Sequence, residues 1–207
     1  PFSLLVFGCG DPEVKESELV SRGGKKYRIN STEPFTGTVV SYRDNGQLES
    51  KETYKNGELD GPWVYYHDNG KLWKSGAFKD GKRHGLGSFV FSNGDRFRGY
   101  YVNGRRQGYG VYEFTSGERY EGYFHAGKYH HWGLYLFKNG DKYFGQYQHG
   151  KRQGRGTLTK RNGERYEGDF SDGKRQGFGA CIFADGSRYS GTWKNDEPEG
   201  WGTYLHP

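Results

Sequence analysis

Residues 166–188 read YEGDFSDGKRQGFGACIFADGSR. Tyr166, Gly168 and Phe170 alternate as residues on one face of a strand do, and Gly173 then opens a turn. Gly179, Cys181 and Phe183 alternate in the same way before Gly186 opens the next turn. Apolar residues recur at every second position and not at helical spacing, so the stretch predicts a β-hairpin. The glycine between two aromatics has a mechanical use. Without a Cβ at Gly99, Gly122, Gly145, Gly168 or Gly191, a ring from the neighbouring strand can lie across the backbone.

Outward from this hairpin the pattern repeats. Gly37, Gly61, Gly85, Gly108, His131, Gly154, Gly177 and Gly200 are corresponding positions, spaced 24, 24 and then 23 residues apart. Asn-Gly turns at 93–94, 139–140 and 162–163 are hairpin signals, with both central residues expected at positive φ. The repeated rings predict a ladder of Phe78, Tyr101, Phe124, Tyr147, Phe170 and Trp193 from first strands, with Phe89, Tyr112, Tyr135 and Tyr204 from second strands. Leu158 and Cys181 replace the ring in two units, so packing is expected to be thinnest around residues 155–182. The fold class expected is all-β, an elongated single-sheet meander of tandem β-hairpins. About eight units fill residues 26–207, each advancing about 10 Å at ordinary strand spacing.

Composition agrees and narrows the function. The chain has 36 Gly, 18 Tyr and 14 Phe among 207 residues, with 31% hydrophobic and 27% charged residues, so most of its apolar mass is aromatic. Disordered chains are poor in aromatics, and layered α/β enzymes need Val/Ile/Leu strands and Ala/Leu helices that are missing here. No apolar run approaches the roughly 20 residues of a membrane-spanning helix. Two cysteines, Cys9 and Cys181, make neither a disulfide framework nor a zinc motif.

The pattern Y-x-G-x-[YFW]-x-x-G-x-x-x-G-x-G-x-[YF] closely resembles the MORN repeat family over residues 74–207. Residues 35–85 resemble the 24-residue variant of bacterial proteins often labelled antitoxins, as in GPWVYYHDNGKLWKSGAFKDGKRHG. Lys74 departs from the pattern at the first aromatic, and His131 and Asp196 replace turn glycines. The resemblance implies a scaffold with no catalytic residues to transfer. It also implies membrane or phospholipid association in some members and self-association in others.

Equivalent turns place Lys82 and Arg83, Arg105 and Arg106, Lys128, Lys151 and Arg152, and Lys174 and Arg175 along one edge, a row of nine positive charges holding most of the net +6. The row stops at Glu58 and Asp60 on one side and at Asp196, Glu197 and Glu199 on the other. At the opposite edge Asp95–Arg96, Glu118–Arg119, Asp141–Lys142 and Glu164–Arg165 set acid beside base, so that edge is expected to be neutral. Two readings of the basic row stay open: an anionic phospholipid contact, or solvated turns that discourage edge pairing. Nucleic acid is disfavoured, because the rings sit on strand faces and not between the basic residues. Nothing covers the aromatic face in sequence, so it is expected either to close by sheet twist into a groove or to take a protein partner or a second copy, and the terminal strand after Trp201 invites edge-to-edge association.

Residues 1–9, PFSLLVFGC, resemble the end of a bacterial lipoprotein signal peptide, with Cys9 the lipidated residue and residues 10–25 a polar linker. A membrane-associated lipoprotein follows if Cys9 is lipidated, and a cytoplasmic protein otherwise. His130, His131 and His149 lie at nearby turns, but no cysteine or carboxylate joins them, so no metal site is expected. Cys181 is expected to be a small buried hydrophobe. The repeated G-x-G precedes no helix, and no HExxH or GxSxG motif occurs, so neither cofactor nor small-molecule substrate is expected. The sequence thus predicts a non-catalytic repeat scaffold for protein–protein interaction. The alternatives are peripheral binding to anionic phospholipid and an antitoxin-like protein that neutralises a toxin by binding it.

Overall fold

The computed structural model describes residues 12–207. They form two compact units, residues 12–90 with 98–105, and residues 91–97 with 106–207. In the first unit, β1 (Glu13–Lys15), one 3-10 turn and the β2 (Leu19–Arg22)–β3 (Lys25–Arg28) hairpin precede the repeats. β1 lies parallel to β4 (Gly37–Tyr42), and Val14 and Leu19 pack against Phe35, Val39 and Tyr54. The segment expected to be a polar linker is therefore, from residue 12 onward, a folded cap. Its charged composition hid two well-placed apolar side chains, and pairing with β4 supplies backbone hydrogen bonds that no composition reports. Strands β5 (Leu48–Lys55), β6 (Glu58–Tyr66), β7 (Leu72–Lys79) and β8 (Lys82–Val90) then follow β4, each antiparallel to the one before.

β9 (Arg96–Val102) gives Arg96 and Phe97 to the second unit and its remainder to the first. The second unit continues as an antiparallel meander: β10 (Arg105–Glu113), β11 (Arg119–His125), β12 (Lys128–Leu136), β13 (Lys142–Gln148), β14 (Lys151–Thr159), β15 (Arg165–Ser171), β16 (Lys174–Ile182), β17 (Arg188–Lys194) and β18 (Glu197–Leu205). The expected all-β class of tandem antiparallel hairpins is thus observed.

The two edges of this meander use different turns. Ala126–Gly127, His149–Gly150 and Asp172–Gly173 hold both residues at positive φ, as the two-residue turns that match strand twist require. The Asn-Gly turns, expected to do the same, are built otherwise. At 91–95 only Gly94 has positive φ, the Phe91 N–H donates to the Asp95 carbonyl, and Asn93 Oδ1 accepts the Asp95 N–H at 3.1 Å. Asparagine acts there through its side chain, bonding two residues onward, and only glycine takes the left-handed conformation.

The rings tile one face. Tyr143 is fully buried, its ring lying across Gly145 of its own strand and Gly156 of the next, and its hydroxyl donates to the Gln146 carbonyl at 3.0 Å. A Cβ on Gly156 would stand 2.5 Å from that hydroxyl. Tyr143 meets Tyr147 edge-on at 5.2 Å and Phe170 of the following repeat at 5.0 Å, and Tyr166 does the same with Phe170 and Trp193 at 5.2 and 5.0 Å. Each tyrosine therefore ties its own hairpin to the next, an edge-to-face contact worth about 0.5–1.5 kcal/mol beyond burial. In the first unit, where Lys74 breaks the pattern, Trp63 takes the ring's place, 5.9 Å from Phe78 and 5.4 Å from Phe89.

Candidate protein-interaction surface

The nine basic residues do not form one row. Because the turns span only two residues, each Lys-Arg or Arg-Arg pair already lies in a strand, and consecutive strand residues face opposite ways. Lys82, Arg105, Lys128, Lys151 and Lys174 are exposed, whereas Arg83, Arg106, Arg152 and Arg175 are half-buried on the ring side. The Arg152 guanidinium sits 5.4 Å from the Tyr143 ring and 5.3 Å from Phe170, and donates to the Gly173 carbonyl. Arg175 lies 5.5 Å from Tyr166 and 4.3 Å from Trp193, and Arg106 4.7 Å from Tyr112 and 5.2 Å from Phe124. In the first unit Arg83 lies 4.9 Å from Phe89 and 5.7 Å from Tyr101. At the equivalent position in β12 the residue is Tyr129, which stacks on Tyr120 at 3.7 Å in place of an arginine.

These arginines cover Tyr101, Phe124, Phe170 and Trp193, while Tyr147 is covered by Tyr120, Tyr129 and Tyr143. Tyr101, Phe124, Tyr147, Phe170 and Trp193 are buried and Phe78 is half-buried, so of the two expectations for these six rings the closed one holds, and they are not left open for a partner. Two contacts close the face: rings of neighbouring repeats meet edge-on, and a guanidinium, flat and weakly hydrated, stacks on aromatics where an ammonium would stay in water. Of the two residues that replace a ring between 155 and 182, Leu158 is half-buried and Cys181 is fully buried. Cys181 is buried beside Tyr166, and Arg175 pairs there with Glu164 at 3.3 Å. Burial raises the Cys181 thiol above its ordinary range, with the Glu164 charge adding to the effect, so it is no nucleophile.

Nor is the opposite edge simply neutral. Asp95 is buried and accepts from Tyr112 Oη at 2.7 Å, from the Thr115 N–H at 3.0 Å and from Asn93 Nδ2 at 2.9 Å. These donors, the Thr115 N–H foremost, hold its carboxyl down at about 2. Tyr135 Oη donates likewise to Glu118 at 3.0 Å. Asp95 and Glu118 thus act as acceptors for tyrosine hydroxyls, while Glu164 pairs with Lys160 of its own turn at 2.8 Å.

Exposed apolar area lies instead on the outer face of the second unit, which sequence reading passed over. Trp132, Phe144 and Phe178 are 44%, 54% and 69% exposed. Trp132 and Phe144 meet at 5.4 Å and form one wall of a groove of about 580 Å³; Phe178 and Ile182 line it as well. Thr157 and Ala180 keep the space between them open, and the Arg165–Glu167 pair (2.7 Å) borders it. Upstream, Tyr109 and Tyr123 meet edge-on at 5.6 Å on the same face. The available signal was the position immediately before the second glycine of G-x-G: Tyr109, Trp132, Arg155, Phe178 and Trp201. Its register faces away from the ladder, and the ladder drew the reading.

No catalytic constellation occurs among the described residues, and no helix there is long and apolar enough to cross a membrane. Residues 1–9 and Cys9 lie outside the described residues.

The MORN repeat model matches residues 75–96, 97–119, 120–142, 143–165, 166–188 and 189–207, and the MORN repeat variant matches residues 35–56 and 59–80. No curated protein matches the chain. Among solved structures, the SAS-4 (dCPAP) TCP domain of Drosophila melanogaster, in complex with a proline-rich motif of Ana2 (dSTIL), is 16% identical with a TM-score of 0.38; the match covers 87% of this chain and 96% of that one. The wild-type TCP10 domain of Danio rerio CPAP is 11% identical with a TM-score of 0.26, over 75% of this chain and 89% of that one.

Proposed function

The chain belongs to the MORN repeat family, and on that premise we propose that its second unit is a non-catalytic binding module taking a protein partner on its outer face. The observation that carries this reading is the groove between Trp132–Phe144 and Phe178–Ile182. Large aromatics left in water beside small residues give a partner apolar area and shape to fill, and tryptophan is among the residues that dominate such contacts. The closed ladder supports the same choice by elimination, since its rings are spent on joining repeats. A phospholipid contact is left with the exposed Lys82, Arg105, Lys128, Lys151 and Lys174, of which Lys151 is already paired with Asp172 at 2.7 Å. A toxin, for an antitoxin-like protein, would be one such protein partner, and a second copy another.

The test compares the wild-type chain with a Phe144→Ser/Phe178→Ser variant. Both changes lie on the exposed face, so far-UV circular dichroism and melting are expected to change little. Quantitative affinity capture from source cells and sedimentation velocity then read partner binding and self-association. Loss of a captured protein or of a dimer in the variant supports the reading. Identical captured proteins and identical oligomeric state for both chains overturn it.

A further inference from the structure

We propose that His125, His130 and His149 form a site for a divalent transition-metal ion of the zinc, copper or nickel class at one edge of the second unit. The histidines come from three places in the chain: the end of β11, the start of β12, and the turn after β13. The His130 ring is the hub, 5.4 Å from His125, 5.9 Å from His149 and 4.6 Å from His131 between ring centroids. Two imidazoles on one tetrahedral ion, with metal–nitrogen bonds of about 2.0–2.1 Å, have ring centres about 5 Å apart. The two separations within the proposed site, 5.4 and 5.9 Å, exceed that value by less than 1 Å.

The repeat explains why His130 reaches His149. In three other hairpins its place is held by Gln107, Gln153 and Gln176, whose Oε1 atoms accept the backbone N–H of Ala126, Asp172 and Asn195 in the next turn at 3.1, 3.1 and 3.3 Å. His149 occupies that turn position after β13, so the geometry that seats glutamine on the next turn aims His130 at His149. His125 is drawn in from the other side, where Gln107 Nε2 lies 3.3 Å from its Nδ1. It was this residue that the sequence did not place in the group. In the present rotamers no three His, Cys, Asp or Glu side chains among the described residues converge on one point. His125 and His149 are exposed and turn about χ1 and χ2 at small cost, whereas His130 is half-buried and fixed. A set of neutral imidazoles without thiolate or carboxylate suits zinc, copper or nickel and not calcium or magnesium.

The experiment is calorimetric titration of the untagged full chain with zinc chloride, and separately with copper chloride, alongside His130→Gln, His149→Asn and a His67→Asn control. His130→Gln installs the residue already seated at the equivalent position of three hairpins, so folding is expected to be retained. The expected result is one ion per chain, with His130→Gln and His149→Asn each weakening binding by about tenfold or more and the control unchanged. Zinc-induced shifts of the His125, His130 and His149 ring resonances would identify the ligands directly. Absence of stoichiometric binding, or equal affinity in wild type, His130→Gln and His149→Asn, overturns the proposal.

Discussion

Lys151 and Arg152 are neighbours in sequence, carry the same charge and begin the same strand, yet truncating them should have very different consequences. Arg152 covers two rings, at 5.4 and 5.3 Å, and donates to the Gly173 carbonyl of the next turn. Partly desolvated cation–π contacts contribute about 0.5–2 kcal/mol, and a hydrogen bond from a charged donor about 1.5–3 kcal/mol. The two share one side chain and do not add fully, so Arg152→Ala should cost about 2–3 kcal/mol. Lys151 pairs with Asp172 at 2.7 Å, but the two side chains are 64% and 76% exposed, where solvent reduces an ion pair to about 0.5 kcal/mol or less. With a urea slope of about 2 kcal/mol/M, Arg152→Ala should lower the unfolding midpoint by about 1 M or more, and Lys151→Ala by about 0.2 M. Arg152→Lys should fall between them, because an ammonium keeps the charge and loses the flat surface. Hydrogen exchange of β14–β16 amides in the same chains would localise the loss, as repeat stability is carried between neighbours. Equal costs for the two alanine variants, or less than about 0.5 kcal/mol for Arg152→Ala, would refute the claim that the arginines help to cover the aromatic face.

Three further outcomes test the packing. Gly156→Ala should cost about 2–3 kcal/mol by thermal or urea unfolding, since the added Cβ stands 2.5 Å from the hydroxyl of the buried Tyr143; a neutral effect would mean that the ring does not lie across the glycine. Asp95→Asn should lower the melting temperature at pH 6 and have progressively less effect as the solution is acidified. The Asp95 carboxyl titrates near 2, below its ordinary range, so its stabilisation is present above that ordinary range and is lost as pH falls through about 2. Parallel melting curves of wild type and variant from pH 6 to pH 2 would contradict this. Ala126 has φ +49° in a two-residue turn where Asn103 and Asn195 hold the same conformation, so Ala126→Asn should stabilise by about 0.5–1 kcal/mol, read as a rise in melting temperature.

Much of the architecture was legible because glycine and aromatic residues alternate at fixed spacing, and only a strand with one ring-bearing face satisfies both. The ladder residues follow from the same alternation. What the pattern does not carry is what lies over the ladder. Lys151-Arg152 and Lys174-Arg175 look like turn charges until the turn is known to be two residues long, and that length depends on positive φ at His149 and Asp172, which Asp172-Gly173 signals as an Asp-Gly pair and His149-Gly150 signals more weakly. Once the turn is short, strand alternation sends one member of each pair inward, and a basic edge and an aromatic face become parts of one structure. Residues 12–28 were illegible for a different reason. β1 pairs with a strand more than twenty residues away, a non-local contact that no local pattern encodes.

The same constraint that makes the inner face legible places specificity elsewhere. A glycine under a tyrosine leaves almost no room for a side chain, so the hairpins of β11 to β18 share the glycine-under-tyrosine arrangement of the inner face. The outward positions are released from that geometry, and in the second unit the equivalent ones are Tyr109, Trp132, Arg155, Phe178 and Trp201. A partner that distinguishes this array from another can do so only where hairpins differ. Both features argued above are such differences: the groove arises where Thr157 and Ala180 separate large apolar residues, and the histidine cluster arises where His130 and His149 replace the glutamine and the turn residue of other hairpins. Exchanging the β12–β13 hairpin for a copy of β14–β15 should therefore preserve folding, since Arg152 and Leu158 serve the inner face of their own hairpin where Tyr129 and Tyr135 serve that of β12, while abolishing groove and histidine cluster together. Failure of that exchange to fold would mean that the outward residues also specify the stacking of hairpins, and that the separation of scaffold from site is false.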